Sequence, residues 1–407
     1  MNRVVSIVFL LISSGVLAQS LDSLQALAYE NNPGLKASYK EFESTLTRVD
    51  QASALADPTL SFGYFISPVE TRVGPQRAKL SLTQMFPWFG TLKASDDVAT
   101  YQAEASYQRF LDQKAKLGLQ VSKAYIPLIE LNQLIQVEEE NLIILESYKR
   151  VATAKFENGE GSLASVLKIE LLMDELSTNI KLMKLKLDPL NEVLLRTIGV
   201  DSMKITTQGD FQKLMDLDST ATLAEHPSLS LFDSQSDAAK AKGILAQKQG
   251  APKIGVGLDY VIVGERTDMA VDDNGKDVLM PMVSVSLPIF RSKYRAAQKE
   301  ASIDQEWFEF AKINQLNQLQ SQWEMTQYSI EQQQHLISLY QQQEQKTNRI
   351  LKLQLSAYSN SGTDFEELLK VHRELLSYQK ALIKAKSQLA LATQELNYLT
   401  TSDEKMK

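Results

Sequence analysis

Residues 81–94 read SLTQMFPWFGTLKA, and their character changes halfway. Leu80 and Leu82 alternate with Lys79, Ser81 and Thr83, the period of a strand with one apolar face. Pro87 then removes a backbone donor and ends the pairing. Trp88, Phe89 and Gly90 follow, and from Thr91 to Leu117 nothing breaks a helix. Residues 284–297 read SVSLPIFRSKYRAA, the same order of strand, proline and helix, with Pro288 and Phe290 in the matching places. The chain is therefore expected to end a strand with proline and launch a long helix from it twice.

Other landmarks repeat in the same order. Asn32-Pro33 is matched by His226-Pro227 and Asp57-Pro58 by Ala251-Pro252, each at an offset of 194. Pro87 matches Pro288 at 201, and Phe156 matches Tyr358 at 202. After each of these aromatics comes a similar stretch, FENGEGSLASVL and YSNSGTDFEELL. A drift of only a few residues, most of it between Pro58 and Pro87, predicts a tandem internal repeat. The first half spans residues 19–212 and the second 213–407. Each is expected to hold a helix (Leu21 to Ala54; Thr222 to Lys248), two strands, a very long helix, a turn and a helix back. The strands are placed near 58–67, 78–86, 252–263 and 279–288, and the turns near 157–162 and 359–363.

The long helices carry a 3-4 apolar spacing. Leu117, Val121, Ala124, Leu128, Leu131, Ile135, Leu142 and Leu145 make one seam, interrupted by Glu138. Ile169 to Leu194 and Leu368 to Leu399 make two more. In the third long helix Leu316, Trp323, Ile330, Ile337 and Leu351 fall on a sevenfold series interrupted by Glu344. Glutamine fills much of the rest, which implies water beside it. This is the pattern of helices packing at shallow angles. From Leu92 to Lys155 only Gly118 and Pro127 break 64 residues, a helix of roughly 95 Å. Pro127 costs ~3 kcal/mol in a helix interior, and a kink is expected there.

The strands alternate, with Phe65 out of place. Leu60, Phe62, Tyr64 and Ile66 oppose Thr59, Ser61, Gly63 and Ser67. Ile254, Val256, Leu258 and Tyr260 oppose Gly255, Gly257 and Asp259, while Val283, Val285 and Leu287 oppose Ser284 and Ser286. Polar loops, SPVETRVGPQ and GERTDMAVDDNGKD, are expected between the paired strands. A half-buried soluble sheet alternates in the same way. So does a transmembrane strand of about 9–11 residues, but four strands cannot close a membrane barrel, for which about 8 is the minimum. A membrane reading requires several copies.

Composition excludes other classes. Arg3, the apolar run from Val4 to Ile12 and Val16-Leu17-Ala18 read as a signal peptide over residues 1–18. No later stretch is apolar enough for a transmembrane helix. There is no cysteine, so no disulfide, thiolate site or cysteine lipid anchor. Three histidines and a net charge of -7 argue against zinc chemistry and nucleic-acid binding. Gly255 and Gly257 have no helix after them to make a dinucleotide site, Met280-Pro281-Met282 reads as a strand start, and His372 beside Arg373 and Glu374 reads as solvated. With no nucleophile–base constellation in view, the chain is not expected to be an enzyme and no cofactor is implied.

The duplicated halves, QMFPWFGTLKA with its echo SLPIFRSKYRAA, and the two turn stretches together resemble the outer membrane efflux protein family. These are the TolC-like exit ducts of Gram-negative bacteria, and FPWFG leans toward the cation and heavy-metal branch. The resemblance implies a mainly α protein with a transmembrane β portion. A homotrimer would share a 12-stranded β-barrel in outer-membrane lipid, continued by a periplasmic α-barrel of coiled-coil-like helices. It implies a passive gated duct fed by a periplasmic adaptor (membrane fusion) protein and an inner-membrane pump. The alternatives are a periplasmic coiled-coil adaptor or scaffold, and a type I protein-secretion duct. The family's periplasmic tip and gate carry over to Asn158, Gly159, Gly161 and Ser162, and to Asn360, Gly362, Thr363, Asp364, Glu366 and Glu367. Its barrel junctions carry over to Pro87, Trp88, Phe89, Gly90, Pro288 and Phe290. This chain departs from some relatives in lacking a lipidated cysteine, and it has Lys370 where another acid can occur.

Overall fold

The computed structural model describes residues 20–205, 211–215, 223–360 and 365–402. The segment 1–18 expected to direct export lies outside them. The described chain runs through α1 (Leu21–Asn31), α2 (Pro33–Ala52), β1 (Thr59–Thr71), β2 (Gly74–Phe86), α3 (Thr91–Glu157) and α4 (Leu163–Ile198). It continues with α5 (Pro227–Gln249), β3 (Lys253–Val263), β4 (Val278–Ser286), α6 (Ser292–Asn360) and α7 (Phe365–Leu399). Among the described residues no helix is long and apolar enough to cross a membrane.

Two compact units are present. One gathers residues 37–113 and 222–319 and contains the sheet. Its four strands lie in the order β1-β2-β3-β4, each antiparallel to its neighbour. Register decides what the faces carry. Leu60, Leu82, Leu258 and Pro281 stand in one row, and Phe62, Leu80, Tyr260 and Leu279 in the next. Between them, on the other face, lies the row Ser61, Ser81, Asp259 and Met280. The alternation expected of single strands is thus summed into one apolar face and one largely polar face.

The strands differ in extent from expectation. β1 and β2 run on into SPVETRVGPQ and meet in a tight turn, where Thr71 pairs with Gly74 and the Thr71 hydroxyl donates to the Gly74 carbonyl at 2.6 Å. Gly74 has a φ of +129°, and a Cβ there would overlap the Gly264 carbonyl. The alternation fades in this stretch because polar residues occupy both faces, so pairing continues beyond the apolar signal. In the same unit α2 packs on α3 through Tyr39 with Phe110 and Phe42 with Tyr107, at ring separations of 5.3 and 5.1 Å. Lys312 of α6 pairs with Asp233 of α5 at 2.6 Å.

The second unit holds residues up to Lys36, 114–221 and 320–401. Its core follows the apolar seams. Leu117, Val121, Leu128 and Ile135 of α3, Ile169 and Leu194 of α4, and Leu368, Leu389 and Leu399 of α7 are buried. Pro127 remains inside α3, flanked by the fully buried Ile126 and Leu128. Burial on both sides offsets a propensity cost that an isolated helix would not bear. Gly118 is where α1 approaches: Gln25 donates to its carbonyl at 3.1 Å, and a Cβ would stand 2.5 Å from the Tyr29 hydroxyl.

The expected first helix is two helices, α1 and α2, broken at Asn32. The Asn32 side chain accepts from the Leu35 amide at 3.0 Å, capping α2, and donates to the Thr197 carbonyl at 2.9 Å. His226 caps α5 in the same manner, with Nδ1 accepting from the Ser228 amide at 3.2 Å. Opposite Asn32, α4 ends on Gly199 at φ +87°, where the Gly199 and Val200 amides both donate to Leu195. A Cβ on Gly199 would lie 2.8 Å from the Asn31 carbonyl oxygen. Gly199→Ala adds both a left-handed alanine and this clash, and is expected to cost about 1–3 kcal/mol. A lowered Tm of the full chain in detergent, followed by near-UV circular dichroism, checks it.

Candidate functional site

The residues expected to matter fall into two places, the ends of the strands and the turns between the long helices. At the first strand end β2 stops at Phe86, and Pro87 and Trp88 lead to Gly90 at φ +80°. The Thr91 amide then donates to Trp88 and the Ala94 amide to Gly90, which starts α3. Trp88 and Phe89 are exposed and touch edge to face at 5.9 Å. The second strand end has no glycine and no left-handed residue. There the Ile289 amide donates to Leu287, and α6 begins at Ser292. Leu287, Ile289 and Phe290 are exposed. Both strand ends therefore place bare aromatic or aliphatic side chains between sheet and helix, by different backbone routes.

The sheet between them is apolar and exposed on one face: Phe62 is 67% exposed and Val283 72%. On the other face Lys79 pairs with the buried Asp259. Gly255 and Gly257 lie here too. A Cβ at Gly255 would meet Met85 and Ser284, and one at Gly257 would meet Thr83 and Met282. The two glycines make room for neighbouring side chains, and Met280 and Met282 belong to β4.

At the first turn, Asn158, Gly159, Gly161 and Ser162 are all exposed. Gly159, at φ +75°, closes α3: its amide donates to Phe156 at 3.0 Å and the Glu160 amide to Lys155 at 2.8 Å. Gly161 lies against the Phe156 amide, where a Cβ would sit 3.1 Å away. The Ser162 hydroxyl accepts from the Ser165 amide at 3.2 Å and caps α4.

Of the second turn, Asn360 ends α6, while Gly362, Thr363 and Asp364 lie outside the described residues. Glu366 and Glu367 occupy the first turn of α7, both exposed, with Lys370 exposed beside them. Glu366 is not one of a free set of acids, for Lys168 of α4 pairs with it. Lys155 of α3 donates to the Tyr358 carbonyl and stands 4.2 Å from the centre of its ring. Tyr358 in turn packs on Phe365 at 5.2 Å. The two lysines that tie α3 and α4 to α6 and α7 escaped the sequence reading, since nothing local marks a lysine whose partner lies about 200 residues away.

Two further polar groups were missed in the helix seam. Glu138, which interrupts the α3 seam, is 1% exposed and bonded to Lys380 of α7 at 2.5 Å. The interruption was itself the signal, because a carboxylate at a core position needs a partner. His372 is not solvated: it is 2% exposed and packs edge-on against Tyr148 at 5.4 Å. Arg373 and Glu374 are exposed, while α7 presents position 372 to α3 beside the seam residues Leu368, Val371 and Leu375.

Residues 24–181 match the family model described as outer membrane efflux protein. Over those residues the chain is similar to that family. Its fold agrees along nearly the whole length. CusC, described as forming a transmembrane channel, superposes with a TM-score of 0.79 at 15% identity, covering 95% of this chain and 93% of that one. The outer membrane protein VceC of Vibrio cholerae gives 0.73 at 17%, covering 94% and 96%. The open-state MtrE outer membrane channel of Neisseria gonorrhoeae gives 0.71 at 16%, covering 94% and 89%. No curated protein matches the sequence. The matched family and these solved structures are passive channels rather than enzymes.

The tie between the helix pairs is testable. Lys155→Met removes a donor and a cation over an aromatic ring, worth about 1–2 kcal/mol together. Faster hydrogen exchange over residues 351–369, with the sheet unaffected, is the expected result.

Proposed function

We propose that the protein is the outer-membrane component of a tripartite efflux system, a passive gated exit duct. Three copies would each give four strands to a 12-stranded barrel. The observation that carries this reading is the sheet. Its apolar rows are exposed across all four strands, and β1 and β4 each pair on one side only among the described residues. Hydrocarbon accepts such strands only in a closed barrel, since every backbone donor and acceptor must be satisfied. Four strands are too few to close alone, so other copies must supply the rest.

In this reading the apolar rows face lipid, and the face with Lys79 and Asp259 lines a lumen. Trp88, Phe89 and Phe290 form part of the interfacial aromatic girdle. Residues 1–18 direct export, and the long helices form the periplasmic duct. The turn at Asn158 to Ser162, together with Asn360 to Asp364, makes the tip that an adaptor protein docks on beneath an inner-membrane pump. Opening is a population shift between closed and open tips, biased by those partners. Glu367, repeated three times by symmetry, attracts cations. The lean toward cation and heavy-metal substrates rests on the FPWFG stretch.

Extraction of the full chain from membranes is expected to yield a trimer that conducts in planar bilayers. A monomer in the soluble periplasmic fraction overturns the reading in favour of a scaffold. Within the sheet, Leu258→Arg places a charge on the lipid face, at a cost of about 2–4 kcal/mol. It should deplete the protein from the outer-membrane fraction, whereas Ser61→Arg, on the opposite face, should be tolerated. For the tip, Glu367→Gln should lower cation selectivity and weaken block by multivalent cations in single-channel records. Unchanged selectivity removes the acidic ring from the mechanism.

A further inference from the structure

Helices α3, α4 and α7 enclose a crevice of about 130 Å³ that the duct reading does not use. His372 lines it from α7, roughly two turns in from Phe365. The ring lies within the apolar cluster of Leu145, Leu176, Leu368 and Leu375, and neither ring nitrogen has a hydrogen-bond partner. A neutral imidazole tolerates this at a cost; an imidazolium, with two donors and a full charge, is far less tolerable there.

The surrounding charges sharpen the point. From α7 itself, Arg373 and Lys380 line the same crevice. From α3 come the neutral Tyr148 and Glu138, but Glu138 is already matched by Lys380 at 2.5 Å. From α4 the lining carries Glu175 as its one carboxylate, and α6 adds only Leu351 and Tyr358 to the cluster. The lining's two cations match its two carboxylates, and neither ring nitrogen bonds to any of them.

We propose that His372 is an acid-sensitive release for α7: protonation of its ring parts α7 from α3 and α4 along this crevice. Burial holds the His372 pKa down to about 4 while the helices are packed, against about 6.5 once the ring meets water. The parted state thus binds the proton more tightly. Packing keeps its full advantage above pH 6.5 and loses it progressively as pH falls from 6.5 to 4. Between pH 7.5 and 5.0 the equilibrium for parting should rise roughly thirtyfold. Parting two turns from the tip would favour its open form, a consequence that rests on the duct reading. The release itself requires only the helix packing.

Hydrogen exchange of the full assembly in nanodiscs tests the release, with rates corrected for the pH dependence of intrinsic exchange. Protection of residues 365–380 and 145–152 should fall about thirtyfold from pH 7.5 to 5.0, and His372→Phe should abolish the fall. The same fall in His372→Phe overturns the proposal and assigns the effect to the carboxylates. Should that variant not assemble, the imidazole nitrogen resonances of an assembly carrying His226→Asn and His335→Gln report His372 alone. A midpoint near 4 supports the release, and one near 6.5 overturns it. Bilayer recordings separate the two readings: acid release with no conductance at any pH removes the duct and leaves the release standing.

Discussion

An unpaired strand edge beside an exposed apolar face is the constraint on which the architecture turns. One copy of the chain has both: β1 and β4 are edges among the described residues, and the rows from Leu60 to Pro281 and from Phe62 to Leu279 present hydrocarbon on one side. In water such a sheet invites edge-to-edge association. In lipid it must close, because backbone groups there have no water to bond. In the proposed duct, the surface that would be a liability in a soluble monomer is the joining surface of a barrel. The junctions belong to this constraint. Pro87 and Pro288 lie just past the strands they follow, so each ladder stops where helix must begin.

The helical unit solves a different problem. Its seams bury leucine, isoleucine and valine along α3, α4 and α7, and this apolar burial dominates its stability. Against that background Glu138 with Lys380 is a choice of geometry more than of energy. Glu138 is buried but Lys380 is 42% exposed, so solvent screens the pair and its net contribution is small. The pair joins one position of α3 to one of α7, which interchangeable leucines do not. His372, within the same crevice, has no partner of this kind and is held only by packing.

Much of this was legible in the sequence because it follows from period. Apolar alternation located the four strands, and the 3-4 spacing predicted which residues of α3, α4 and α7 are buried. What escaped lacked a local period. Residues 68–77 carry polar side chains on both faces, so β1 and β2 looked shorter than they are. Pro33 marks a boundary or kink in the sequence, but nothing local shows that Asn32 bonds Thr197 beside Gly199. Lys168 and Glu366 are 198 residues apart, and no window along the chain joins them. His372 misled because its neighbours in sequence are charged, while its neighbours in space are leucines and Tyr148.

The two turns also differ in a way that their similar sequences conceal. Phe156 and Tyr358 occupy matching places, yet Phe156 is 42% exposed and Tyr358 only 8%. The reason lies in the cation. Lys155 lies over the Tyr358 ring and bonds its carbonyl, while Phe365 closes the other contact. The first turn is self-contained, capped by Gly159 and Ser162; the second is braced from outside. The pair Lys168–Glu366 is exposed at both partners, and solvent-screened pairs contribute about 0–1 kcal/mol. The brace therefore resides mainly in the aromatic contact under Lys155. Salt should disturb it little, and a partner helix that competes for Tyr358 or Phe365 would disturb it most.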